Sequence, residues 1–234
     1  MASTFGVTRL QRMSTADQVV EVLRNKIMGG ELRSGTSMQE IPLASAIGVS
    51  RNTVREAFRT LLADGLLRKS VNKSVAVAFL SEDDVTEIYR IRNLVELAAV
   101  DAVCTKGEVD FGRMQEAISE LKTAALAGDW LTLVDKDMTF HCLLVSAIGS
   151  SRLQQFYGKL LSELRLALVI TDQKSGQFVH QIPKQHQQLL ESLMSGSHEK
   201  CRQILAKHLA ESERRVKGLL QEHQKRLVVS VNRA

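Results

Sequence analysis

GVSRNTVREAFRTLLADGLL, residues 48–67, combines a helical apolar pattern with a row of arginines. Val54, Ala57, Phe58, Leu61 and Leu62 recur at three- and four-residue spacing, the period of one helix face. Ser50 stands where an N-cap belongs, and Asp64-Gly65 closes the stretch, so a helix is expected over 51–63. Arg51 and Arg55 lie four apart, a like-charged pair that an isolated helix disfavours. An ordinary solvated face gives no reason for that pair. A helix laid into a DNA groove does.

The flanking sequence fits. A helix is expected over 15–29, with Val19, Val20, Leu23, Ile27 and Met28 on one stripe and Gly29-Gly30 at its end. ELRSGTSM, residues 31–38, reads as a turn, and a short helix follows over 39–46. Gly48 breaks that helix just before Ser50, giving the short glycine-containing turn of a helix-turn-helix. LLRKSVNKSVAVAF alternates like a two-stranded ribbon with a turn near Asn72-Lys73. Three helices and a hairpin predict a winged helix-turn-helix over 15–79, preceded by a flexible polar tail over 1–14. The third helix then enters the major groove N-terminus first. Arg51, Asn52, Arg55 and Arg59 become candidates for base edges, and Ser50 and Thr53 for phosphates.

Charge supports a polyanionic partner. Residues 1–79 hold 11 Lys+Arg against 6 Asp+Glu, a net +5, while residues 80–234 hold 20 of each. The whole excess sits in the first third, as expected of a DNA-binding module joined to a neutral remainder.

From Leu80 onward the pattern is helical only, with segments expected near 82–104, 108–127, 129–148, 150–172, 183–195 and 197–226. Hydrophobic residues make up 44% of the chain and aromatic ones only 4%, which favours helices over a β-sandwich. The expected fold is mainly α, a winged helix-turn-helix followed by an all-helical antiparallel bundle over 80–234. No run approaches a membrane span, and the N-terminus lacks the apolar core of a secretory signal. The three cysteines show no CxxC spacing and read as reduced thiols, which suits a cytoplasmic protein.

Within the bundle, LVDKDMTFHCLLVSAI (133–148) places Asp137 and His141 inside a stripe that is otherwise apolar. A buried carboxylate is costly unless it is paired or bound to metal. His186 shares a stripe with Leu189, Leu190 and Leu193, and His208 with Cys201, Ile204, Leu205 and Ser212. Each histidine alone reads as a satisfied core residue. Together with Asp137 they read as one site for a divalent metal, zinc by default, with nickel or manganese also compatible. Cys142 points about 100° away from His141 and reads as packing. His180, His198 and His223 receive no role.

LASAIGVSRNTVREAFRTLLADGLL resembles the GntR-family winged helix, with its usual run LA-x-x-LGVSR-x-x-VREAL-x-x-L-x-x-[ED]GL. EIYRIRNLVELAAVDAV and the D-x-x-F-H at Asp137–His141 resemble the FadR-type C-terminal domain, the FCD group. The chain departs at Ser34, where the family has proline, at Lys73-Ser74, where the wing has glycine, and at Ile41, where many relatives carry an arginine. The resemblance implies a cytoplasmic homodimeric transcription regulator of the FadR subfamily, commonly a repressor, acting on double-stranded operator DNA. It also implies metal binding through Asp-x3-His and two later histidines, and a small carboxylate as effector. Arg92 matches the arginine that such proteins place over the pocket. Read by itself, it fits either a ligand carboxylate or an ion pair with Glu96 at i+4. Arg165 interrupts another inward stripe and is a second candidate for the effector. A metal-dependent enzyme acting on carboxylates and a regulator sensing the metal itself are the alternatives. No general base or nucleophile motif supports the enzyme.

Overall fold

The computed structural model describes residues 13–69, 74–106, 109–170 and 179–231. Residues 1–12 of the expected tail and the wing turn expected at Asn72-Lys73 fall outside these. Helix α1, Thr15–Met28, starts in a capping box: Ser14 Oγ accepts from Asp17 N, and Asp17 reaches back to Ser14 N. It buries Val19, Val20, Leu23 and Ile27. Helix α2, Glu40–Ile47, ends at Gly48, whose φ of 71° reverses the chain in the left-handed region that a side chain disfavours. Ser50 Oγ then caps helix α3, Arg51–Ala63, by accepting from Thr53 N at 3.1 Å.

The wing has one strand more than the sequence pattern predicts. Strands β2, Leu67–Lys69, and β3, Val75–Val77, form the expected antiparallel ribbon, with Arg68 opposite Ala76. Strand β1, Ser37–Met38, occupies the end of the stretch expected as a turn, and pairs with the other side of β3 in the order β1-β3-β2. Two residues carry no readable period. Burial of Met38 against the core holds the strand in place.

Among the described residues six helices follow: α4 (Glu82–Lys106), α5 (Phe111–Ala127), α6 (Trp130–Ser146), α7 (Ser151–Ile170), α8 (Ile182–Met194) and α9 (His198–Val231). Ser81 and Asp84 form a capping box on α4, and Asp110 and Asp129 cap α5 and α6. α4 packs along α9, α5 against α6 and α8, and α6 against α7 and α4. This arrangement turns the inner faces of α4, α6, α8 and α9 toward one another. No helix among the described residues is long and apolar enough to cross a membrane.

Helix α7 also contacts the winged helix. Lys159 lies 3.6 Å from Asp64, the cap at the end of α3, which also accepts from Arg24 of α1 at 2.9 Å. The Glu163 side chain sits so close to Gly65 that a Cβ there would meet it at 2.7 Å. Arg165 donates to Asp135 of α6 through Nε at 2.5 Å and Nη2 at 3.0 Å, and through Nη1 to the carbonyl of Met28, the last residue of α1.

Candidate metal centre and nucleic-acid interface

Asp137 and His141 are one turn apart on α6. His186 comes from α8 and His208 from α9. Nε2 of His141 lies 3.3 Å from Nε2 of His186 and 3.3 Å from Nε2 of His208. Asp137 Oδ1 lies 3.3 Å from His186 Nε2, and its Oδ2 lies 4.0 Å from His141 Nε2. One potential ligand atom from each of the four residues falls within 4.8 Å of the others. The three imidazoles are buried, and the Asp137 side chain keeps 20% exposure. Phe140 closes one side, its ring edge-on to His186 at 4.7 Å.

Each ring is fixed from behind. His186 Nδ1 lies 2.8 Å from the Ile182 carbonyl, which can only accept, so this nitrogen is the donor. His208 Nδ1 donates to Gln185 Oε1 at 3.2 Å, and Gln185 Nε2 is itself committed to Glu211 Oε2 at 2.7 Å, which sets the amide orientation. His141 Nδ1 lies 2.6 Å from Glu96 Oε2. With the protons on Nδ1, the Nε2 lone pairs face a common point. Burial, above all, holds His186 down to about 4 and His208 well below its ordinary value, so both are neutral imidazoles near neutral pH. Lone pairs on nitrogens 3.3 Å apart repel unless a cation lies among them. Imidazole–zinc bonds of about 2.0–2.1 Å put neighbouring nitrogens roughly 3 Å apart, so the donor set fits a divalent ion.

Glu96 was named in the sequence only as a partner for Arg92, and the structure gives it a larger part. Its carboxylate accepts from Arg92 Nε at 2.7 Å, from Tyr157 Oη at 2.6 Å and from His141. Burial would raise this carboxyl, but Arg92, His141 and the hydrogen bonds outweigh it and bring it down to about 2. Such anchoring carboxylates behind histidine ligands orient the ring and raise its basicity. The signal was available: Tyr89, Arg92, Glu96, Ala99 and Val103 form one buried stripe of α4, and Glu96 breaks it as Asp137 breaks that of α6. Tyr157 and Gln185 had no comparable signal.

Arg92 does form the i,i+4 ion pair, with both side chains buried. It also stacks over Tyr89, 4.9 Å from the ring centroid. Its Nη2 nonetheless remains buried without a hydrogen-bond partner among the described residues. Its charge contributes to the depression of both His186 and His208. Arg165, expected beside an effector, has its guanidinium engaged by Asp135 and the Met28 carbonyl instead. Cys142 is not among the converging groups, and burial pushes its thiol up to about 11.

On the winged helix, Arg51, Asn52 and Arg59 are exposed, and Thr53 and Arg55 partly so. The Ser50 hydroxyl, expected to meet phosphate, also bonds Thr53 Oγ1 at 2.8 Å. Glu40 of α2 lies between the two neighbouring arginines. It accepts from Arg51 Nε at 2.6 Å and from Arg55 Nε and Nη2, each at 3.4 Å. This resolves the like-charge pair seen in the sequence.

Comparison with known proteins agrees with both halves. Residues 15–77 match the bacterial regulatory proteins of the gntR family, and residues 87–211 match the FCD domain. The chain is 27% identical over 202 residues to a probable D-xylose utilization operon transcriptional repressor from Paenarthrobacter nicotinovorans, covering 86% of this chain and 88% of that one. It is 28% identical over 155 residues to the gluconate operon transcriptional repressor of Bacillus subtilis (strain 168), covering 64% and 62%. A solved GntR transcriptional regulator from Rhodococcus sp. RHA1 superposes with a TM-score of 0.79 at 30% identity, covering 88% of this chain and 99% of that one. These matches are transcription regulators and not enzymes. The chain belongs to the GntR family of bacterial transcription regulators and carries an FCD domain after its winged helix.

Proposed function

We propose that the chain is a homodimeric repressor of the FadR subfamily whose grip on operator DNA is set by a small carboxylate bound at a divalent metal in the helical domain. Three imidazole Nε2 atoms converging beside Asp137, each with its Nδ1 anchored, carry the reading. Asp137, His141, His186 and His208 hold the ion, zinc being the default for such donors. The ion supplies Lewis acidity and coordination positions that an anionic oxygen can take. Arg92 receives the effector's carboxylate through its unpartnered Nη2, which satisfies a buried donor that otherwise costs about 1–3 kcal/mol. Glu96 keeps Arg92 and His141 in place while this happens. Arg51, Asn52, Arg55 and Arg59 read base edges, with Ser50 and Thr53 against the backbone. Effector binding shifts the population of dimer geometries and thus the spacing of the recognition helices. The names of the xylose and gluconate operon relatives support repression as the sign.

A thermal-shift screen of small carboxylates, run on metal-loaded and chelated protein, tests this reading. A ligand that binds only the folded state raises the melting temperature by mass action. Stabilisation by particular carboxylates that vanishes on chelation is expected. Equal stabilisation in both samples would place the effector away from the metal. A response of DNA binding to the ion alone would favour a sensor of the metal itself.

A further inference from the structure

Glu40 is the first residue of α2, and its neighbours Ile41 and Pro42 carry no charge. Its partners are on the recognition helix. One carboxylate bridges two guanidinium groups that stand four residues apart, so the trio has a net charge of +1 in place of the +2 of the arginines alone. Hydrogen bonds from Arg51 first, and Arg55 second, hold the Glu40 carboxyl below its ordinary value, so it is ionised near neutral pH. The bridge engages Arg51 through Nε only, leaving Nη1 and Nη2 without a protein partner among the described residues. Arg55 is engaged through Nε and Nη2. The Arg51 and Arg55 side chains still keep 59% and 42% exposure, so the clamp leaves them accessible.

Two consequences follow from elementary electrostatics. Attraction to phosphate is a charge effect, present at every sequence, and it scales with the number of phosphates a protein neutralises. A built-in carboxylate between two arginines weakens that term. Reading a guanine edge depends on direction, because two N–H groups must meet O6 and N7 together. A carboxylate that holds the guanidinium from one side restricts its rotamers and favours this term over the first. We propose that Glu40 is a specificity determinant: it suppresses sequence-independent binding by the recognition helix and positions Arg51 and Arg55 for base edges. The proposal rests on the reading that α3 enters the major groove.

The test uses the full-length chain and two duplexes of equal length and composition. One is enriched by the wild-type protein from a random library, and the other is its scrambled counterpart. Glu40→Gln is expected to bind the scrambled duplex at least three-fold more tightly. Its log–log salt slope on that duplex should be steeper by about 0.9, the increment for one further phosphate neutralised. The ratio of selected to scrambled affinity should fall at least five-fold. Glu40→Asp keeps the charge and should bind the scrambled duplex as wild type does. A ratio within two-fold of wild type in Glu40→Gln overturns the proposal, as does Glu40→Asp matching Glu40→Gln on the scrambled duplex. Arg51→Ala, run alongside, separates the levels. Weakened binding to the selected duplex with an unchanged ratio in Glu40→Gln removes the role of Glu40 alone. No effect of Arg51→Ala removes the groove reading and the proposal together.

Discussion

Glu96 Oε2 and His141 Nδ1 lie 2.6 Å apart in the core of the helical domain, 45 residues apart in sequence. The contact decides which way the His141 lone pair faces. It also links His141 to Arg92, since Arg92 Nε donates to the other oxygen of Glu96. Substituting Glu96 by Gln should therefore act twice. Metal affinity should fall about 10–100-fold, as it does when the group behind a histidine ligand is lost. Stability without metal should fall by about 3–5 kcal/mol, because Arg92 is left buried without its counter-ion. Chelator competition reads the first and denaturant unfolding of chelated protein the second. Wild-type metal affinity in the variant would show that the anchor does not matter.

His186→Ala should lower bound metal and abolish the response to effector while leaving non-specific DNA binding intact. Elemental analysis of dialysed protein and binding to scrambled duplex measure these separately. Full metal occupancy in this variant would mean that His186 is a satisfied core histidine.

Arg51→Ala and Arg55→Ala should each weaken specific DNA binding by about 1–3 kcal/mol without unfolding the protein. Competition titrations at fixed salt are the measurement, since affinities at different salt concentrations are not comparable.

Arg165 ties α6 to the last carbonyl of α1. Arg165→Met should speed hydrogen exchange in the last turn of α1 and leave metal affinity near the wild-type value. Unchanged exchange there would show that the packing of α7 holds the winged helix without this link. A large fall in metal affinity would return Arg165 to the binding site.

The helices were legible because apolar spacing agrees with caps such as Ser50 and with glycine stops such as Gly29 and Gly48. Strand β1 was not, because Ser37–Met38 is too short to show a period. The four metal-ligand candidates were visible as polar residues on apolar stripes, since a helix face is a local property. Of the groups behind them, Glu96 breaks its stripe in the same way, but Tyr157 and Gln185 do not stand out. Tyr157 meets Glu96 across 61 residues, and Gln185 meets His208 across 23, so their roles exist only once α7, α8 and α9 have packed. Arg165 shows the same limit in reverse: its break in the stripe was visible, but its partners, 30 and 137 residues away, were not. The Arg51–Arg55 pair raised the right question, and its answer, Glu40, lies on another helix.

X-ray absorption spectroscopy at the zinc edge, on full-length protein loaded with one equivalent of zinc, reads the ligands of the metal centre themselves. Three imidazole nitrogens at about 2.0–2.1 Å are expected, with oxygen completing the shell and no sulfur. His186→Ala should lose one imidazole from that signal. Sulfur at about 2.3 Å, or fewer than three imidazoles in the wild type, would contradict the assignment of Asp137, His141, His186 and His208 as the metal centre.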